Sequence, residues 1–421
     1  MKTGPNSRCV PGRPIAWWLA ICVGLALCAD SRASAADDLQ PVTSVTPDAA
    51  WTAVFDRTDG WTGADCAGSV DLGDGRTLWL FGDTWLGKIR DGKRQPGATM
   101  VNNSIAVHPT DKSAPWRPPD PRSVRFLWGA NDKDGKPTAW AVPPPIAGDA
   151  ASAGDWLWCN GGGVVGAGPR GKGRRLVVFF FRVRHNPHGQ GVWAFTTVGT
   201  CLTVIDNVGD PPERWRPKFY DLPRTSAGVS NDGREILWGL SASREGAASH
   251  HEDRLRIFGT LRRGRFEMSL VLARATSATI DRLELEFFDG TVWRPNCEAC
   301  AKPLAGGLVS EFSVEEMNNA GKPTWVLIQS EPFLGKRIFA RTAPKPEGPW
   351  SLRRTIYTVP DVAASRAYFT YAAKGHAALS RPGELLVTFL VNSQNFADVV
   401  RDTTIYHPIF LRVPLSAVLG N

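Results

Sequence analysis

One pattern recurs five times along the chain: a strand of small residues, a tight turn, then a return strand of aliphatic or aromatic residues. The clearest copy is GWTGADCAGSVDLGDGRTLWLFGDTWLG at residues 60–87, where Gly73-Asp74-Gly75 separates a polar strand (64–72) from an apolar one (77–81). Asp-Gly between two such runs is a strong short-range hairpin signal. Weaker copies are 158–165 with 176–181, 226–229 with 236–240, 310–314 with 325–328, and 372–379 with 385–389. The turns (near 74, 171, 232, 320 and 382) lie about 77 residues apart, more than the roughly 40–50 residues of a four-stranded propeller blade. Long loops absorb the surplus: the Pro-rich 115–121 and 143–145, and the tract 243–253. Further strands follow each hairpin, at 103–107, 192–196, 256–260, 337–340 and 408–413. Small residues suit strands converging on a crowded axis, and bulky ones suit packing between blades. Apolar residues at helical spacing are nearly absent; the best candidate, 276–287, mixes β-branched residues and alternates. The pattern predicts an all-β chain: a five-bladed β-propeller forming a single domain over residues 51–421, with 51–55 as the outer strand that closes the ring on the last blade.

Residues 1–36 read as a signal peptide. Lys2, Arg8 and Arg13 precede an apolar core at 15–29, too short for a spanning helix, and Ala33-Ser34-Ala35 follows as a cleavage site. Leu27 stands before Cys28 where a lipid-anchor site wants a small residue, and no paired arginines precede the apolar core. General secretion to the periplasm or the exterior is expected, with 37–50 a short linker and no later membrane span. Removing the leader takes the net charge from +8 to about +5, a mild basicity that gives little support to a nucleic-acid partner. Five cysteines remain. Cys297 and Cys300 form a lone CxxC, for which a short-loop disulfide is expected. Cys66 and Cys159 leave a second bridge open.

The hairpin register carries a chemical consequence. With the turn centred on Asp74, residues whose numbers sum to 148 face each other, so Asp65 opposes Asp83 with Cβ atoms roughly 5 Å apart. Like charges so placed weaken a sheet and raise at least one pKa, so folding alone gives little reason for them. Several other signals fail. Residues 161–166 satisfy GxGxxG by letter but lack the following helix that would aim N–H groups at a pyrophosphate. His250, His251, Glu252 and Asp253 are too close in sequence to converge readily on one ion, and His185 and His188 carry the same weakness. Asn102-Asn103-Ser104 is a glycosylation sequon, set aside as a functional signal. No Gly-x-Ser-x-Gly elbow or His-Glu-x-x-His helix occurs.

Together, GxTGAD-x-x-x-S-V-D-L-GDGRTLWLFGDTW, MVNNSIAV, SEFSVE, the Gly-Pro-Trp at 348–350 and YAAKGHAALS resemble a family of secreted bacterial five-bladed propellers of unknown function. That family is similar in fold to the glycoside hydrolase superfamily of arabinanases, xylosidases, levansucrases and invertases. The resemblance spans residues 51–414. It implies a central pocket where acidic residues from different blades act on a sugar. Placed on that frame, Asp65, Asn160, Glu311, Lys374 and His376 surround one mouth, with Asp83 beside Asp65. Asp65 is the expected base or nucleophile, Glu311 the acid and Asp83 the tuning group. Asn160 stands where related propellers often carry an acid, and Trp61, Trp85 and Trp158 are candidate sugar-stacking platforms. No cofactor is expected, a structural calcium on the channel axis is left open, and the expected state is a monomer. The bland alternatives are turn-capping aspartates, a core histidine and packing tryptophans. Three functions follow: a glycoside hydrolase, a non-catalytic glycan-binding propeller, or a cell-surface interaction scaffold.

Overall fold

The computed structural model describes residues 45–166, 173–189, 191–222, 234–245, 253–264, 267–319, 321–360 and 367–420. The expected signal peptide, the predicted turn near 171, the predicted strand 226–229 with its turn at 231–233, and His250 to Glu252 lie outside these.

Five antiparallel sheets surround one axis. Blade 1 runs outward through Asp59–Asp71, Arg76–Arg90, Ser104–Pro109 and Arg125–Leu127. Blade 2 comprises Trp156–Val165, Arg175–His185, Phe195–Ile205 and Lys218–Asp221. Blade 3 begins with Arg234–Glu245, Arg254–Arg263 and Glu267–Thr276, and extends through Glu286–Phe288 and Trp293–Pro295. Blade 4 holds Phe312–Asn319, Lys322–Ser330, Arg337–Ala343 and Arg354–Thr358. Blade 5 holds Tyr368–Gly375, Glu384–Ser393 and Ile409–Pro414. The five innermost strands each touch the next, first to last included.

Alternating side chains on the second strands build the core between blades. On Arg76–Arg90, Leu78 and Leu80 join the apolar cluster shared with blade 2, while Trp79 and Phe81 join the one shared with blade 5. Blade 2 repeats the device: Val178 and Phe180 face blade 1, Val177 and Phe179 face blade 3. On the inner strand of blade 2, a Cβ at Gly161 would lie 2.8 Å from the Gly239 carbonyl, and one at Gly163 would lie 2.5 Å from the Leu255 side chain. The GxGxxG letters therefore serve close strand packing.

Three expectations change. The predicted closing strand 51–55 is a helix, Ala49–Phe55, and Thr46–Pro47, inside the expected linker, pairs with Ile409–Pro414 as the outer strand of blade 5. Asp48 explains the helix: its carboxylate caps the Trp51 N–H at 3.0 Å and binds Arg412 at 2.7 Å. Helical spacing then puts Trp51 and Phe55 together against Phe410, each with ring centroids 5.5 Å away. In blade 3, Ile236 to Leu240 belong to the innermost strand rather than the second. In blade 2, Gly191–Trp193 is a 3-10 turn and the strand starts at Phe195. Cys297 and Cys300 form a disulfide, while Cys66, Cys159 and Cys201 are free and buried. No described helix is long and apolar enough to cross a membrane.

Candidate active site

The inner strands end in a cavity of about 650 Å³ at one mouth of the axis, lined from all five blades. Blade 1 supplies Asp65 and Asp83. The ladder pairs Ala64 with Thr84, slips by one so that Cys66 meets Phe81, and recovers at Gly68 with Leu80. Asp65 thus opposes Gly82 and Asp83 together, one residue against two, rather than Asp83 alone as the simple register predicts. Cys66 and Ala67 take left-handed φ values of 75° and 55° to restore the pairing. The Asp65 carboxylate occupies the space where any residue at 82 but glycine would place its Cβ.

Asp83 accepts the Trp158 indole N–H at 2.7 Å and the Asn102 amide at 3.3 Å. Burial pushes its carboxyl up to about 6 despite these donors. Burial raises Asp65 further, well above the usual carboxylate range, and the charges of Asp83 and Glu311 add to the rise. The Tyr406 hydroxyl, 3.3 Å from Asp65 Oδ2, and the Asp83 N–H oppose it only in part. The two aspartates therefore titrate as a unit, both shifted toward their protonated forms.

Glu311 stands immediately before the inner strand Phe312–Asn319 of blade 4. Burial raises its pKa, and the ammonium of Lys374 pulls it back. Lys374 is itself buried, donates to the Phe312 carbonyl at 3.2 Å and does not line the cavity. On blade 2, Trp158 and Asn160 both reach the lining. Asn160 is 3 % exposed, and its Nδ2 finds no partner among the described residues. Its backbone carbonyl lies 3.7 Å from the Cys66 thiol.

The cavity thus collects Asp65, Asp83, Glu311, Asn160 and Trp158, and leaves out four other candidates. His376 is fully buried, with Nδ1 2.7 Å from the Ser69 hydroxyl and Nε2 2.8 Å from that of Thr388. Burial, with Lys374 nearby, pushes its pKa down to about 3. It is a satisfied core histidine. Trp61 packs on Phe126 with centroids 4.7 Å apart and donates to Ser104. Trp85 is buried between Phe396 and the Arg94 guanidinium. Neither ring is open to a sugar.

Blade 5 contributes two residues the sequence reading missed, Tyr371 and Tyr406. Burial, then the charge of Asp65, raises both phenols well above their usual range, so both remain hydrogen-bond donors. The chain has five tyrosines, and four fall between 357 and 406; that bias was visible in the sequence. Asn102, dismissed as part of a sequon, holds Asp83, and Asn103 braces the Ala141 and Leu157 backbones. Among the described residues, no group of three or more His, Cys, Asp and Glu side chains is placed to hold a metal ion. The arrangement can hold a proton on one carboxyl while a second stays available as a base, with neutral donors around both.

Fold and site define a five-bladed β-propeller with an acid-lined cavity at one end of its axis. The chain belongs to the family described as "Domain of unknown function (DUF5005)", whose model matches residues 48–415. A crystal structure from Bacteroides ovatus, provisionally described as a hydrolase, superposes with a TM-score of 0.62 at 18% identity, covering 88% of this chain and 90% of that one. The exo-beta-1,3-galactanase of Phanerochaete chrysosporium, in complex with beta-1,3-galactotriose, gives 0.43 at 10% identity over 86% of this chain and 64% of that one. The alpha-L-arabinofuranosidase of Podospora anserina, with cellotriose, gives 0.40 at 8% identity over 85% and 97%. The first of these shows the shared fold. No curated protein matches the sequence significantly.

Proposed function

We propose that the protein is an exported, carbohydrate-active hydrolase that cleaves a glycosidic bond in the acid-lined cavity. The observation that carries this reading is the convergence of Asp65, Asp83 and Glu311, from blades on different sides of the axis, on one cavity. Glycoside hydrolysis needs one protonated carboxyl to meet the leaving oxygen and one carboxylate to act on the sugar or on water. The electrostatics favour exchanging the roles expected from the sequence. Asp65, whose pKa is raised most, is the better proton donor. Glu311, held closer to its ionised form by Lys374, is the better base or nucleophile. Asp83 shares the Asp65 proton and is oriented by Trp158 and Asn102. Export follows from residues 1–36, whose charge, apolar core and small-residue site fit a leader.

Sugar release from polysaccharides and aryl glycosides by the purified protein tests the proposal. Asp65→Asn and Glu311→Gln should each lower the rate by about 10²- to 10⁴-fold with folding intact. Activity surviving both variants would move the chemistry elsewhere. Asn160, an unpartnered amide where an acid was expected, favours a second reading: a propeller that binds glycans without cleaving them. Retention on a glycan array with no release from any substrate would establish it.

A further inference from the structure

The cavity has a second chemical character that the carboxylates do not use. Phe181, Phe195, Leu237, Met268 and Leu308, from blade 2 and blade 3 and the segment leading to blade 4, all line it. These five side chains also belong to one hydrophobic cluster, so the lining there is the uncovered edge of packed core. Beyond Phe195, Trp193 stands 51 % exposed at the same opening, its ring centroid 6.4 Å from that of Phe195. The charged pair on this side, Glu235 and Arg262, is joined in a salt bridge and presents little net charge. The carboxylates, amide and phenols able to orient a sugar lie elsewhere in the lining, on Asp65, Asp83, Asn160, Glu311, Tyr371 and Tyr406, while Thr196, Thr197 and Thr260 are the hydroxyls on the apolar side. A site for a purely hydroxylated chain would gain little from an aliphatic and methionine-bearing edge. A mixed lining of this volume suits a ligand with one polar and one apolar end.

Resting on the proposed reading of the carboxylates as a sugar site, we propose that the cavity takes a glycoside with an apolar aglycone. The sugar lies against Asp65, Glu311 and Asn160, and an alkyl or aryl group lies along Phe181, Phe195, Leu237 and Met268. The apolar end thus supplies binding energy remote from the reacting bond.

Titration of the purified protein with paired methyl and octyl glycosides of glucose, galactose, xylose and arabinose, below their micelle concentrations, tests this. For at least one sugar the octyl glycoside should bind about 100-fold more tightly than the methyl glycoside, as burial of several methylenes requires. Met268→Glu and, independently, Leu237→Ala should remove most of that preference while leaving methyl glycoside binding within about threefold. Two variants of different chemistry keep the result readable if one fails to fold. Equal affinity of methyl and octyl partners overturns the aglycone proposal and leaves the sugar site standing. An octyl preference identical for every sugar, matched by an octyl sulfobetaine and indifferent to Glu311→Gln, overturns the sugar reading on which the proposal rests, and the proposal with it. Absence of binding by any glycoside overturns the proposal.

Discussion

Two groups of withdrawn carboxylates in this propeller sit in opposite electrostatic states. Asp155, at the start of blade 2, is 7 % exposed and gripped by Arg182 at 2.7 Å and Arg184 at 2.6 Å. Burial alone would raise its pKa, but the hydrogen bonds and charges of the two arginines outweigh burial and hold it below the usual range. Asp65 is half-buried in the cavity wall, where a tyrosine hydroxyl, a backbone N–H and two further carboxylates surround it, and its pKa rises. Between Asp65 and Asp155, the two arginines that bind Asp155 account for the opposite direction of the shift. Arg182 extends the structural network to Asp221, at 2.9 Å, and to the Pro144 carbonyl, so it ties blade 2 together.

The largest expected effect breaks the structural group. Asp155→Ala leaves two arginines facing a partly buried void and should destabilise the fold by about 3–5 kcal/mol, read as a fall in the urea midpoint. Asp65→Asn replaces a carboxyl that burial and neighbouring charge shift toward its protonated form with a neutral isostere, so at pH 7 its midpoint should hold or rise. If the two variants lose equal stability, the contrast between the groups is wrong.

That contrast was half legible in the sequence. The Asp74-Gly75 turn and the sum rule brought Asp65 and Asp83 together from letters alone, because period-two strands leave few registers. The bulge that sets Asp65 against both Gly82 and Asp83 was not legible, because it depends on Cys66 and Ala67 taking left-handed backbone angles that neither residue type announces. Five blades were readable because each needs a bulky second strand, whereas the fate of 51–55 was not. Trp51-Thr52-Ala53-Val54-Phe55 satisfies strand alternation and helix spacing alike, and only the Asp48 cap and the distant Phe410 decide for the helix. His376 and Trp61 could not be told from cavity residues, since partners such as Thr388 and Phe126 arrive by tertiary packing. Asp155 drew no notice because Arg182 and Arg184 lie on a strand whose pairing fixes which side chains meet it.

A smaller effect separates the groups by pH. Asp83 has a folded value of about 6 against an unfolded value near 3.9, so its contribution is present below about pH 4 and is lost as pH rises toward 6. Asp155, depressed in the fold, contributes above about pH 4 and loses that contribution as pH falls through its lower folded value. Buried His376, neutral and depressed to about 3, also loses its contribution as pH falls from about 6.5. Comparison of wild type with Asp83→Asn cancels the histidine. The stability gained by the variant should grow as pH rises from about 4, because it loses both the Asp83 titration and the charge by which Asp83 raises Asp65. A gain that shrinks with rising pH would reverse the sign assigned to Asp83.

Lys374 tests whether a single cation decides which state a carboxylate takes. Lys374→Met removes the charge that opposes the burial of Glu311, so the Glu311 pKa should rise and the acidic limb of the pH–activity profile should move to higher pH. The readout is the position of that limb rather than the rate at its maximum. An unmoved limb, with the fold intact, would mean that Lys374 has no hold on the titration of Glu311, the proposed base.

The smallest effect lies at the blade 1 turn, where Asp74 is paired like Asp155 but nearer water. It binds Arg76 at 2.6 Å and Arg174 at 3.0 Å, with Arg174 about a third exposed, and its pKa is lowered against the opposing pull of burial. Solvent screening should limit the cost of Asp74→Asn to about 1 kcal/mol or less, and 0.5 M salt should shrink it further. A loss as large as that of Asp155→Ala, unchanged by salt, would mean that this turn, joined by Arg174 to blade 2, locks the two blades together in a way its exposure does not reveal.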